Sequence, residues 1–219
     1  DHVIETECVH TCETSCSVNE GKLVLTAQAK AGQPIRLFKY ISYHTSRRAP
    51  VDELCERAGR TLDRAVREGF PTLLEGQRHY LDGFWQRSDV QIEPEPDPEG
   101  RTLRSAEAVQ QILRLNLFHI LQASARAEGV GVPAKGLTGL GYEGHYFWDT
   151  EIYVLPFLIY TAPRVARNLL KFRYSMLDKA RERAREVNQK GALFSWRTIN
   201  GEEASAYYAA GTAQYHINA

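Results

Sequence analysis

The hydrophobic period of this chain changes once, near residue 50, and that change limits its architecture more than any other feature. Before it, apolar and polar residues alternate, as they do along a strand with one buried face. Glu5 to Val18 alternates, Lys22 to Ala29 alternates again after the turn Asn19-Glu20-Gly21, and Ile35 to His44 is a third candidate strand. From Pro50 onward the spacing is helical. Leu54, Ala58, Leu62, Ala65 and Val66 share one face that ends at Gly69. Pro71 then opens a second helix with a stripe of Leu74, Gln77, Tyr80, Leu81, Phe84 and Trp85. The chain therefore reads as mainly α with N-terminal β-strands.

Further along, the prolines between Glu93 and Gly100 forbid a helix there, because each disfavours the α region for its predecessor. Leu103 to Ala127 carries Ala106, Val109, Ile112, Leu113, Leu117, Ile120 and Leu121 at helical spacing. Thr150 to Tyr160 is apolar on nearly every side, which predicts a helix packed between others and kinked at Pro156. Thr161-Ala162-Pro163 starts another helix, expected to run for about two dozen residues. Its basic residues between Arg164 and Arg185 read as a solvated face, since no nucleic-acid motif accompanies them. Tyr207 to Ala219 reads as the beginning of one more helix. A chain that starts in a strand and stops in a helix has the look of a piece of a longer protein.

Charge balance excludes some partners. Lys+Arg and Asp+Glu number 27 each, so no net field draws the chain to nucleic acid or to an anionic membrane. The longest apolar run, Ile152 to Tyr160, falls well short of the ~20 residues that span a bilayer. No basic and apolar leader opens the sequence, and the expected location is cytoplasmic. Cys8, Cys12 and Cys16 recur every four residues. On a strand they would lie about 13 Å apart, too far to share a metal, so they are expected to be reduced thiols on one strand face with no metal bound.

The least ordinary segment is 129–151, GVGVPAKGLTGLGYEGHYFWDTE. Gly139, Gly141 and Gly144 match G-x-G-x-x-G, but a helix rather than a strand precedes them, which argues against a dinucleotide site. The segment instead reads as a long functional loop whose glycines permit tight turns and close backbone approach. It delivers Tyr142, His145, Tyr146, Phe147 and Trp148 to Asp149 and Glu151 at a helix start. A second cluster holds Trp196, Arg197, Glu202, Glu203, Tyr207 and Tyr208, and a third holds Gln214, Tyr215 and His216. Aromatic faces beside carboxylates and amides suit a pyranose, whose C–H face stacks while its hydroxyls make directional bonds. The same residues would serve equally as core anchors, with Asp149 as a helix N-cap.

GLTGLGYEGHYFWDTEIYVLPFLIYTAPRVARNLL, WRTINGEEASAYYAAGTAQYHINA and FKYISYHTS resemble glycoside hydrolase family 65, the family of maltose, trehalose and kojibiose phosphorylases. The resemblance implies residues 1–49 as the last strands of an N-terminal β-sandwich and 50–100 as a helical linker. It implies residues 101–219 as the first helices of a catalytic (α/α)6 barrel. It further implies inverting cleavage of an α-glucosidic bond by inorganic phosphate, with no other cofactor, giving β-glucose 1-phosphate. Such a phosphorylase needs a general acid but no base, because phosphate is itself the nucleophile. The family places that acid and its phosphate loop beyond Ala219, so no catalytic residue is assigned here, and Glu143, Glu151, Glu202 and Glu203 are not nominated. The substrate-binding residues implied are Trp148 and Asp149, with His145, Tyr146, Trp196, Gln214 and His216 as further candidates. A homodimer is expected of the full-length enzyme. Two other readings stay open: a trehalose-type hydrolase of the same family, and a carbohydrate-binding module without catalysis.

Overall fold

A computed structural model describes every residue except 19, 47–48, 94–104, 125–128, 207–208 and 219. The Pro-rich segment between Glu93 and Gly100 and the expected helix ends at Leu103 and Ala127 lie at or beyond the limits of the described residues, as do Tyr207, Tyr208 and Ala219. The chain forms two compact units, Asp1–Asp82 and Gly83–Ala219.

In the first unit, β1 (His2–Glu5) pairs antiparallel with β4 (Arg36–Lys39), and β2 (His10–Cys16) pairs with β3 (Gly21–Ala27). One hairpin is thus nested inside another. The expected single strand from Glu5 to Val18 is broken at Thr6–Val9. Side chains there compete with the ladder for backbone groups. The Cys8 N–H donates to Thr6 Oγ1 at 3.1 Å, and Cys8 Sγ lies 3.5 Å from Gln33 Oε1. The break also corrects the reading of three cysteines on one face: Cys8 is buried, whereas Cys12 and Cys16 are exposed on β2. All four cysteines are free.

Helix α1 (Leu54–Ser88) is two helices joined at Gly69, whose φ of 77° and ψ of 158° leave the helical region. Only glycine adopts such a conformation cheaply, and Pro71 follows in the first turn of the second segment, where no N–H is needed. Leu54, Ala58, Leu62, Ala65 and Val66 are half-buried, as their spacing predicts. The second stripe is shorter than expected. Leu74, Gln77 and Tyr80 are exposed, and burial begins at Leu81 and Phe84.

The second unit is built on α2 (Ala106–Ser124), α3 (Leu155–Thr161), α4 (Pro163–Ser175) and α5 (Leu177–Glu186). Ser105 caps α2, its Oγ accepting from the Ala108 N–H at 3.2 Å. The core joins Val132, Leu155, Leu158, Ala166 and Leu169, with Ile120 and Ala123 of α2 packed against them. Two helix expectations are corrected. Pro156 does not kink a long helix; it sits in the first turn of α3, preceded by a π-helical turn, Thr150–Val154. In that position its missing N–H costs nothing. The helix after Pro163 is interrupted at Met176 (φ −91°, ψ 1°), so α4 and α5 are separate. Met176 is itself buried, which keeps the apolar stripe continuous across the break. The end of the chain forms 3-10 turns at Ala209–Thr212 and Tyr215–Asn218 rather than an α-helix.

No described helix is long and apolar enough to cross a membrane.

Candidate functional site

The loop entering the π-turn is shaped by strained backbone held in place by cations. Tyr142 (φ 61°) and Glu143 (φ 52°) both lie in the left-handed region. Each such non-glycine residue costs of order 1–3 kcal/mol unless its surroundings enforce it. Arg197 Nη2 donates to Glu143 Oε2 at 3.1 Å, and Lys135 Nζ lies 5.9 Å from the centroid of the Tyr142 ring. The same ring meets Phe147 edge-on at 5.2 Å. His145 Nδ1 lies 2.7 Å from the Tyr142 carbonyl and 3.2 Å from Arg197 Nη2. Gly139 is needed for close approach, since a Cβ there would lie 2.8 Å from Lys135 Cβ. The glycines of this loop therefore serve a turn and make room for the Lys135 stem.

From the loop, β5 (Tyr146–Phe147) pairs with β6 (Arg197–Thr198), which brings the second aromatic cluster beside the first. Tyr146 is buried with its ring edge-on to Phe172 at 5.1 Å. Phe147 meets Trp196 edge-on at 5.7 Å, and Trp148 meets His216 at 4.8 Å. Gln214 stands apart: among the described residues no hydrogen bond or ring contact joins its side chain to the other candidates. Its backbone N–H donates to Thr212 O at 2.9 Å.

Trp148 and Asp149 open onto different spaces. Trp148, with Glu151, Arg173, Phe194 and His216, lines a cavity of about 560 Å3. Asp149 lines another, of about 500 Å3, with Asn116, His119, Lys135 and Tyr153. Successive residues of a helical turn diverge by about 100°, so one dipeptide serves both spaces. Each volume suits a small polar molecule. Asp149 occupies the N-cap position of the π-turn, yet its backbone is helical (φ −51°, ψ −32°) and its carboxylate makes no capping hydrogen bond. The carboxylate is exposed and uncommitted to the helix it precedes.

The glutamates nearby are all engaged. Glu151 is paired with Arg173, Glu143 with Arg197 and Glu202 with Lys179. The hydrogen bond from Lys179 holds the Glu202 carboxyl below the usual glutamate range, helped by Asn200. Glu203 accepts from the N–H groups of Trp196 (2.8 Å), Arg197 (3.2 Å) and Ser205 (3.2 Å), and from the Ser205 hydroxyl (2.6 Å). Each of the four thus has an ionic or hydrogen-bonded partner.

Sequence reasoning missed two groups. Asn116 and His119 project from α2 into the cavity of Asp149. Their signal was a pair of polar residues three apart on the same face as Ile120 and Ala123. Arg173 and Arg183 were read with a solvated basic face; Arg173 instead pairs with Glu151, and Arg183 is buried and bonded to Thr212.

Residues 1–84 match the model described as glycosyl hydrolase family 65, N-terminal domain, and residues 114–219 match that of the family 65 central catalytic domain. The chain belongs to glycosyl hydrolase family 65. Among family 65 relatives, the α,α-trehalose phosphorylase of Thermoanaerobacter brockii is 42% identical over 219 residues, which are 100% of this chain and 27% of that protein. The α,α-trehalose phosphorylase of Geobacillus stearothermophilus is 54% identical over 151 residues, 68% of this chain and 18% of the relative. A solved structure from the human microbiome, described as a candidate kojibiose phosphorylase, superposes with a TM-score of 0.65 at 26% identity. That superposition covers 99% of this chain and 29% of the other. The chain thus spans about a quarter of the length of the family 65 proteins it matches.

Proposed function

We propose that this chain is part of an inverting disaccharide phosphorylase that cleaves α,α-trehalose with inorganic phosphate, releasing glucose and β-glucose 1-phosphate. The observation that carries the reading is the match to a trehalose phosphorylase across the whole chain at 42% identity. In this reading α2 to α5 are the opening helices of an (α/α)6 barrel. Asp149 accepts hydrogen bonds from the hydroxyls of the cleaved glucose in its own cavity, bonds that tighten as the ring flattens toward an oxocarbenium-like transition state. Trp148 supplies a stacking wall for the sugar from the cavity it shares with His216. His216 lines the Trp148 cavity, His145, Trp196 and Gln214 are further candidates for the sugar, and Tyr146 is packed against Phe172. The engagement of Glu143, Glu151, Glu202 and Glu203 supports a general acid outside residues 1–219. Phosphate acts as co-substrate with no further cofactor, and the full-length enzyme works as a cytoplasmic homodimer.

The test is phosphate-dependent release of glucose 1-phosphate by the full-length enzyme from trehalose, kojibiose and maltose, with the anomer read by NMR. Trehalose is expected to be the best substrate, with the β anomer formed. Glucose released from trehalose at the same rate without phosphate would instead identify a hydrolase. The isolated 219-residue chain is expected to give no glucose 1-phosphate above a buffer control, since an absent general acid alone removes about 10²–10⁴-fold.

A further inference from the structure

Phe147 and Glu151, on either side of the dipeptide Trp148–Asp149, are tied to one guanidinium. Arg173, on α4, donates from Nε to Glu151 Oε1 at 3.0 Å and from Nη2 to Glu151 Oε2 at 2.7 Å. The same Nη2 reaches the Phe147 carbonyl at 3.4 Å. Phe147 precedes Trp148, and Glu151 is the second residue of the π-turn that follows Asp149. Arg173 also lies 5.6 Å from the centroid of the Phe194 ring. Both partners of the ion pair are mostly withdrawn from solvent, with side chains 15% and 27% exposed.

This arrangement exceeds what an ordinary surface ion pair does. A bidentate fork fixes orientation as well as distance, because two parallel bonds leave the carboxylate no freedom to rotate. A π-turn gains an extra residue within one helical turn, and such turns are frequent at functional sites. Here the turn begins next to Asp149, whose own carboxylate has no intrahelical partner to steady it. The Trp148 carbonyl accepts from the Glu151 N–H at 2.9 Å and from the Ile152 N–H at 3.4 Å. Any shift of Glu151 is therefore transmitted directly to the peptide between Trp148 and Asp149.

The geometry points to Glu151 and Arg173 as positioning residues that act through Asp149, aiming its carboxylate at the sugar. This assignment rests on the disaccharide phosphorylase reading and adds to it an ion pair that lines the Trp148 cavity and acts through Asp149. Arg173→Lys keeps the charge but loses the fork. Glu151→Gln keeps the shape and loses the ionic half of the bond.

The test is a mutant cycle in the full-length enzyme, measured well below its melting temperature. Arg173→Lys and Glu151→Gln are each combined with Asp149→Asn, and kcat and KM for trehalose are followed with phosphate saturating. Each single variant is expected to lower kcat/KM at least tenfold, mainly through kcat. In the Asp149→Asn background, the same change should cost less than twofold, since coupled residues are not additive. Equal fold-losses in both backgrounds would show that the pair acts independently of Asp149 and overturn the assignment, as would single variants with kcat/KM within twofold of the parent. If one variant fails to fold, the other completes its own cycle with Asp149→Asn. A parent enzyme that turns over no α-glucosidic disaccharide with phosphate would overturn the functional reading itself, together with this assignment. Normal parent turnover beside an additive cycle overturns only the positioning role.

Discussion

The indole of Trp148 and the imidazole of His216 meet nearly edge to face, with centroids 4.8 Å apart and planes at 74°. Such pairs contribute about 0.5–1.5 kcal/mol beyond their buried area. If His216 acts by bracing the indole, His216→Phe should keep the contact and His216→Ala should lose it. The expected result in the full-length enzyme is a KM for trehalose raised about three- to tenfold by His216→Ala, with His216→Phe close to the parent. Equal loss in both variants would mean that the imidazole itself binds the sugar.

Asp149→Asn separates a sugar ligand from a helix cap. Asn caps as well as Asp, and the observed carboxylate makes no capping bond in any case. As a ligand, the carboxylate supplies a charge-assisted bond that an amide replaces poorly. The substitution should leave the melting temperature unchanged and lower kcat/KM by about 10²-fold, equivalent to roughly 3 kcal/mol. Near-normal kinetics would remove Asp149 from the site.

Glu203 accepts four hydrogen bonds while half-buried, which fixes the turn carrying Trp196 and Arg197. Removing a charged acceptor leaves its donors unpaired, so Glu203→Ala should destabilise the protein by about 2 kcal/mol in urea unfolding. A change below about 0.5 kcal/mol would mean that water replaces the carboxylate at little cost.

Gly131 has no room for a methyl group. A Cβ there would lie 2.7 Å from Cε1 of Phe172 and 3.0 Å from Cδ1 of Tyr146. Neither ring is free to retreat, because each packs on the other. Gly131→Ala is expected to destabilise by about 1–3 kcal/mol, and a melting temperature equal to the parent's would contradict this.

Asp89 provides a pH-dependent contact. Arg114 donates from Nε to its Oδ1 at 2.8 Å, and this hydrogen bond holds the carboxyl below its ordinary value of 3.8 against the opposing effect of desolvation. A depressed carboxyl contributes stability that is complete above the unfolded-state value and disappears as pH falls through the folded-state one. Asp89→Asn should therefore destabilise at about pH 7, with the gap to the parent closing below about pH 3.8 and narrowing in high salt. A gap that persists unchanged at acid pH would assign the effect to packing.

Much of the fold was legible because its signals are local. The break at Gly69 and the restart at Pro71 follow from two residues whose backbone preferences leave little choice. The interruption at Met176 was not legible, since a buried methionine continues the apolar stripe that defines a helix in sequence. The π-turn escaped for a similar reason: an apolar run has the same composition whether wound as α or π. At the site, the aromatic clusters declared themselves by type. The bond from Arg173 to Glu151 spans 22 residues, and nothing in a row of basic residues marks which one turns inward.

The nesting of β2 and β3 within β1 and β4 has a kinetic meaning. Glu5 opposes Arg36, so closing the outer pair alone would tie a long loop. Once Ser17 bonds to Glu20 and the inner ladder zips from Cys16–Gly21 to His10–Ala27, the two short segments flanking that ladder are all that remains open. Closure entropy falls by ~0.6 kcal/mol for each halving of the free loop. Forming the inner hairpin first therefore lowers the entropic cost of pairing β1 with β4. A substitution that loosens it should delay docking of β4 on β1 in stopped-flow refolding, although it touches neither strand.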